Sequence, residues 1–251
     1  MEKNFQNQVA IVTGASFGIG RAAAVAFAEA GAKVVIADCV ADSETLKKIQ
    51  STGGDAIFIK CDVSNEESVK AMIDITMQKF GRLDYAFNNA GIEGLSAPTH
   101  ECTNENWDNT ININLKGVWL CMKYEIPQML KQNKGAIVNN ASIAGLVGFP
   151  NIPAYVASKH GILGLTKNAA LEYAKLGIRV NAVCPGVIKT PMIDRFTGKS
   201  KEVEKQFENA EPMGRLGQPD EVAAAVTWLC SDASSFVTGH AMTVDGGWVA
   251  Q

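Results

Sequence analysis

Short β-branched and apolar runs alternate with longer amphipathic stretches along the whole of this chain. Val9 to Thr13, Val34 to Ala37, Ile57 to Lys60, Tyr85 to Phe87, Ala136 to Asn139, Arg179 to Val183 and Ala241 to Val244 read as strands, with helical stretches between them. Val9-Ala10-Ile11-Val12 and Val34-Val35-Ile36-Ala37 are apolar without alternation, as strands buried on both faces are. The pattern predicts an α/β fold, a doubly wound parallel sheet of about seven strands with helices on both faces. No repeat, low-complexity block or Pro/Gly/Ser linker interrupts it, so residues 1–251 read as a single domain. The exception is 189–212, a polar and irregular insertion after a strand end with charges of both signs. Ligands of open parallel sheets bind at the carboxyl ends of the strands, so this segment is placed to act as a substrate lid.

Composition narrows the class. At 251 residues, 47% hydrophobic and 20% charged, with a net charge of −3, the chain can bury a full-sized core. It has no basic run, which argues against nucleic acid or an anionic membrane as partner. Cys39, Cys61, Cys102, Cys121, Cys184 and Cys230 are dispersed, and no histidine stands near them at zinc-ligand spacing, so reduced and mostly buried thiols and no metal are expected. The first residues lack the apolar centre of a signal peptide and no run reaches a membrane span, so a cytoplasmic location is expected.

Candidate chemistry begins where the first strand ends. Gly14, Gly18 and Gly20, with Ser16, Phe17 and Ile19 among them, lie between that strand and an alanine-rich helix. Glycines there let the backbone turn tightly and approach a pyrophosphate, whose charge the helix N-terminus favours. The second strand ends at Asp38, at the spacing where a carboxylate accepts hydrogen bonds from ribose hydroxyls and repels a 2′-phosphate. Cys39 follows in place of an arginine, and Phe17 is apolar, so NAD is expected over NADP. Asp62 and Val63 close the third strand and face the adenine edge, while Asn88-Asn89-Ala90-Gly91 forms a small-residue corner after the fourth.

Tyr155 and Lys159 stand four apart in a helical stretch, so the phenol and the ammonium share a face. A free tyrosine titrates at about 10, and a phenolate usable near neutrality needs roughly 4 kcal/mol of extra stabilisation. An ammonium about 4 Å away, at an effective dielectric of about 20, supplies roughly that much. His160 points away from this pair on an ideal helix.

Taken in order, Thr13-Gly-x-x-x-Gly-x-Gly20, Asp62, Asn88-Asn-Ala-Gly91, Asn114, Ser142, Tyr155-x-x-x-Lys159, Pro185-Gly186 and Thr190 resemble the short-chain dehydrogenase/reductase family in its compact single-domain, Rossmann-type branch. The resemblance covers nearly the whole chain. It implies that Tyr155 acts as general acid in reduction and general base in oxidation, that Ser142 holds the substrate oxygen, and that Lys159 lowers the tyrosine pKa and binds the nicotinamide ribose. Asn114 would hold a water relaying protons to Lys159. Pro185, Gly186, the backbone near Val187 or Ile188, and Thr190 would orient the nicotinamide carboxamide. A homotetramer formed through the helices carrying Asn114 and Tyr155 is also implied. The four-residue Tyr-to-Lys spacing disfavours the enoyl-reductase branch. Asn139-Asn140, just before Ser142, is a polar pair the sequence does not explain.

The expected reaction is reversible hydride transfer between NAD and a secondary alcohol or ketone as small-molecule substrate. The candidate pocket wall is Glu93, Gly94, Ala144, Val147, Ile152, Val187, Met192, Phe196 and Trp248. It is mostly apolar, which suggests a hydrophobic or alicyclic alcohol, with Glu93 able to bind a second hydroxyl. The alternatives are a 3-oxoacyl carrier-protein reductase, which Asp38 opposes through its preference for NADPH, and an NAD-binding sensor or scaffold without turnover.

Overall fold

Seven strands form where the apolar runs predict them, in a computed structural model that describes residues 5–41 and 43–251. They are β1 (Val9–Thr13), β2 (Lys33–Asp38), β3 (Ala56–Lys60), β4 (Tyr85–Asn88), β5 (Gly135–Asn140), β6 (Ile178–Pro185) and β7 (Ala241–Val244). Between them run α1 (Gly18–Glu29), α2 (Ser43–Ser51), α3 (Glu66–Phe80), α4 (Asn104–Ile111), α5 (Gly117–Gln132), α6 (Pro153–Tyr173), α7 (Pro191–Phe196), α8 (Lys201–Ala210) and α9 (Pro219–Cys230). The strands pair in parallel in the order β3-β2-β1-β4-β5-β6-β7, with Ile11 opposite Val35 on one side and Ala86 on the other.

Side chains alternate across a strand, and here both sets are apolar. Val9, Ile11, Val35 and Ile137 face a layer holding Met72, Leu120 and Ile162, from α3, α5 and α6. Ala10, Val12, Val34 and Ile36 face the opposite layer, with Phe27 and Val226 from α1 and α9. Helices therefore cover both sheet faces, and the strand ends are left as the exposed edge on which a site can be built. Local signals set the helix limits: Asn65 accepts the Ser68 amide at the start of α3, and Gly81 ends it with φ 72°.

Two expectations need correction. Segment 189–212 is not irregular: Pro191 occupies the first turn of α7, the Ser200 hydroxyl accepts the Val203 amide to start α8, and Phe196 packs on Phe207 at 6.1 Å. The charge density hid two short amphipathic helices. The stretch around Asn114 is not regular helix either, because Asn112–Lys116 forms a π-helical turn joining α4 to α5. Among the described residues, no helix is long and apolar enough to cross a membrane. All six cysteines are free; Cys39 is exposed and Cys102 partly so, while the other four are buried.

Candidate active site

The sheet order turns back between β1 and β4, and a cleft of about 340 Å³ opens at the carboxyl ends there. Its floor is the glycine turn. Gly14 sits at φ 62°, and a Cβ on Gly20 would lie 2.1 Å from the Gly14 carbonyl oxygen, so the turn closes onto α1 only without side chains. Gly14, Phe17, Gly18 and Ile19 line the cleft. Ser16 and Gly20, expected among the binding residues, do not; both are buried and brace the turn from behind. The Ser16 amide donates to Asp38 Oδ2 at 3.0 Å and its hydroxyl to the Val40 carbonyl at 2.9 Å. Arg21 donates to the Ser16 carbonyl and pairs with Glu44 at 2.9 Å, so this cation is committed behind the turn.

At one end the cleft is lined by Asp38, Cys39, Cys61, Asp62 and Val63. Asp38 is fixed by two amides, from Ser16 and Val40, which orient its carboxylate without neutralising it. Asp62 Oδ1 accepts the Ser64 amide at 2.9 Å and hydroxyl at 2.7 Å.

The polar residues at the central strand ends form a lattice. Thr13 Oγ1 accepts the amides of Asn89 and Ala90, and Asn89 Nδ2 donates to the carbonyls of Thr13 and Gly14. Asn140 Nδ2 donates to Asn89 Oδ1 at 2.9 Å. One register step below, Asn88 Nδ2 donates to Asn139 Oδ1 and Glu125 Oε2, both at 3.1 Å, and Asn139 Nδ2 donates to Thr166 Oγ1 at 3.0 Å. This explains Asn139-Asn140: each side chain ties β5 to a neighbouring strand or helix. Glu125 is fully buried, and its carboxyl is pushed up to about 8 by desolvation.

Ser142, Tyr155 and Lys159 meet on one wall. Ser142 Oγ accepts the Ala144 amide at 3.1 Å, which leaves the hydroxyl proton available to an acceptor in the cleft. Tyr155 lies in the first turn of α6, and Lys159 one turn on, only 4% exposed. The Lys159 ammonium donates to the Asn140 carbonyl at 2.7 Å and lies 5.4 Å from the centre of the Tyr155 ring. Burial pushes the Tyr155 phenol up, against a lowering by its hydrogen bond with Ser142, and Glu93 pushes it up further. Burial brings Lys159 down to about 8. Desolvation is thus the largest influence on the phenol in this cleft.

Asn114 is fully buried and fully used: Oδ1 accepts the Ile92 amide at 2.8 Å, and Nδ2 donates to the Ile92 carbonyl at 2.9 Å and to Ser158 Oγ at 3.2 Å. Its side chain pins the loop after β4 to α6. His160 is exposed and bonded to the Val156 carbonyl, away from the site.

At the other end, Ala90, Gly91, Pro185, Gly186, Ile188 and Thr190 line the cleft. Val187 does not, because its amide turns to Glu211 Oε1 at 3.1 Å. Of Val187 and Ile188, only Ile188 lines the cleft. Of the residues expected to form a substrate wall, few line the cleft. Met192 lines the cleft, joined by Ile92, Ile113, Pro191, Ile193 and Arg195, which sequence reasoning missed. Glu93 instead pairs with Arg195 through two contacts, 2.9 and 3.1 Å. Gly94 packs on Thr110 and Asn106, Ala144 is buried, Phe196 meets Phe207 and Trp248 packs on Phe149 at 5.8 Å in a tilted arrangement. Val147 is exposed and Ile152 caps α6. Spacing after strand ends could not reveal which way α7 and α8 turn. Among the described residues, no group of three or more His, Cys, Asp or Glu is arranged for a metal.

The family model described as enoyl-(acyl carrier protein) reductase matches residues 14–249. Cyclohexanol dehydrogenase of Acinetobacter sp. strain SE19 is 46% identical, over 100% of this chain and 98% of its own length. A 2,5-dichloro-2,5-cyclohexadiene-1,4-diol dehydrogenase of Sphingobium indicum is 44% identical over 96% of both. Among solved structures, levodione reductase superposes with a TM-score of 0.94 at 38% identity, covering 98% of this chain and 99% of the other. An Agrobacterium tumefaciens protein provisionally assigned as a 2-deoxy-d-gluconate 3-dehydrogenase, solved with NADP, superposes at 0.91 with 35% identity over 99% of both chains. Matched over nearly its whole length by this family model, by these relatives and by these solved structures, the chain belongs to the short-chain dehydrogenase/reductase family.

Proposed function

We propose that this protein is an NAD-dependent oxidoreductase that interconverts a secondary alicyclic alcohol and its ketone. The observation that carries the reading is the convergence of Ser142, Tyr155 and Lys159 on one wall of a cleft whose far end holds Asp38. The glycine turn fits a dinucleotide: it leaves no room for side chains where a pyrophosphate would approach, and α1 starts there. Asp38, oriented by two amides and facing the cleft, favours ribose hydroxyls over a 2′-phosphate and so NAD over NADP.

When bound, the nicotinamide accepts or supplies the hydride. The chain's own residues manage the proton and the geometry. Ser142, its oxygen already accepting from Ala144, donates its proton toward the substrate oxygen. Tyr155 gives a proton to that oxygen in reduction and takes it in oxidation. Lys159, anchored on the Asn140 carbonyl, keeps donors free for a ribose hydroxyl and sets a positive charge beside the phenol. Asn114 acts by fixing Ile92 and α6.

The 189–212 helices form the lid of a single domain, and Met192, Ile193, Ile92 and Ile113 give the substrate end an apolar character that suits a ring. The cyclic alcohols named for the two curated relatives support that class. A homotetramer through α5 and α6, and a cytoplasmic location consistent with the free thiols, complete the reading. It is tested by initial rates at 340 nm with cyclohexanol, cyclic diols and their ketones, each with NAD(H) and NADP(H). NAD-linked turnover of cyclic alcohols is expected; turnover confined to NADPH and a 3-oxoacyl thioester would overturn both the cofactor and the substrate class.

A further inference from the structure

Glu211 follows α8, where the lid rejoins the body, and is only 4% exposed. Its Oε1 accepts the Val187 amide, while Oε2 is buried without a hydrogen-bond partner. The carboxyl is wedged between two strand ends: a Cβ on Gly186 would lie 3.1 Å from Oε1, and one on Gly246 the same distance from Oε2. It faces a second chamber of about 320 Å³ that shares Gly186 and Ile188 with the cleft. The other charged groups there are Asp245, whose oxygens accept the Gly247 and Val249 amides, and the Arg215–Glu221 pair. Burial and then Asp245 push the Glu211 carboxyl up, and no cation pairs with it among the described residues.

A half-satisfied buried carboxyl is costly, and an apolar side chain would fill the same space without that cost. What the carboxyl adds is a hold on one amide. Backbone bonds fix the flanks of this segment: Gly186 donates to the Val244 carbonyl, the Gly217 amide donates to the Val187 carbonyl, and Lys189 donates to the Gly217 carbonyl. Glu211 takes the amide between them and turns Val187 out of the cleft, which leaves Ile188 and Thr190 facing it. We infer that Glu211 is a positioning residue, which sets the 186–190 segment against the nicotinamide half of the dinucleotide and ties that setting to the end of the lid. This rests on the NAD-dependent reading above.

The test compares NAD with ADP-ribose, which lacks the nicotinamide, by calorimetric titration of wild type, Glu211→Gln and Glu211→Ala, with melting temperatures alongside. E211A is expected to weaken NAD about tenfold while leaving ADP-ribose within twofold of wild type. E211Q, whose amide oxygen still accepts from Val187, is expected to recover most of the loss. Equal weakening of both ligands, or of neither, would mean that Glu211 serves stability alone and overturns the inference. Should E211A not fold, Glu211→Leu, which keeps the volume, carries the same comparison. If wild type binds NADP in place of NAD, the cofactor reading fails separately, and NADP with its 2′-phospho-ADP-ribose fragment takes the place of the pair. Binding of neither dinucleotide overturns both.

Discussion

Burial acts on Tyr155 and Lys159 in opposite senses, holding the phenol protonated and bringing the ammonium down to about 8. For Lys159 the folded value lies below the unfolded one. The charged, buried form therefore costs stability in full below pH 8, and the cost is relieved as pH rises from about 8 toward the ordinary lysine range, at roughly 1.4 kcal/mol per unit. Comparing Lys159→Met with wild type by thermal melts from pH 7 to 10 should show the difference moving in wild type's favour only above pH 8; a flat difference would mean Lys159 is not desolvated as described. Tyr155→Phe keeps the ring and removes the proton donor. It should cut turnover by at least a thousandfold, about 4 kcal/mol of barrier, with NAD affinity in titration nearly unchanged. These residues were legible because their chemistry demands a fixed spacing on one helix. Asn139 and Glu211 were not, since nothing in their neighbours along the chain signals that a polar side chain will be buried.

Helices and strands carry a second set of consequences. α5 delivers Glu125 beneath the sheet, to the Asn88 side chain, where desolvation pushes its carboxyl up to about 8. A carboxyl raised to about 8 on folding favours the native state most at pH below the ordinary glutamate range, and that advantage is lost as pH climbs toward 8. Glu125→Gln keeps a neutral partner for Asn88. Its stability relative to wild type should increase steadily between pH 5 and 8 in denaturant titrations, and a pH-independent difference would show that Glu125 ionises freely. The lid helix α7 is tied to the loop after β4 by Arg195 and Glu93, with Arg195 60% exposed. Such a pair is worth about 1 kcal/mol or less. Arg195→Ala should raise the substrate KM two- to fivefold and speed proteolysis near residues 197–201, with melting temperature almost unmoved. The helicity of 189–212 escaped the sequence because α7 is short and half of α8 is charged, which masks the four-residue apolar spacing of Val203 and Phe207.

At the scale of the molecule, the strand pattern was legible mainly because the five inner strands are buried on both faces, while β3 and β7 at the edges are only partly so. Uninterrupted apolar runs have few other uses in a chain with no membrane-spanning helix among the described residues. Assembly was readable only through the family. Trp119, about two-fifths exposed, lies on α5, one of the two helices assigned to the tetramer. Sedimentation should give a mass near four times 26.8 kDa, and a monomer at micromolar concentration would remove the tetramer from the reading.

The asparagine lattice across β1, β4 and β5 bears on what happens before any ligand arrives. Thr13, Asn89 and Asn140 already bind one another, and Asn114 already grips Ile92. Encounter with the dinucleotide therefore needs little further ordering of this floor, and its affinity is not spent on organising it. In hydrogen–deuterium exchange of the ligand-free protein, the amides of Asn89, Ala90 and Ile92 should stay protected for hours while those of α7 and α8 exchange in seconds. Saturation with NAD should then slow the lid and hardly touch the floor, so that the heat and entropy of binding report mainly on lid closure.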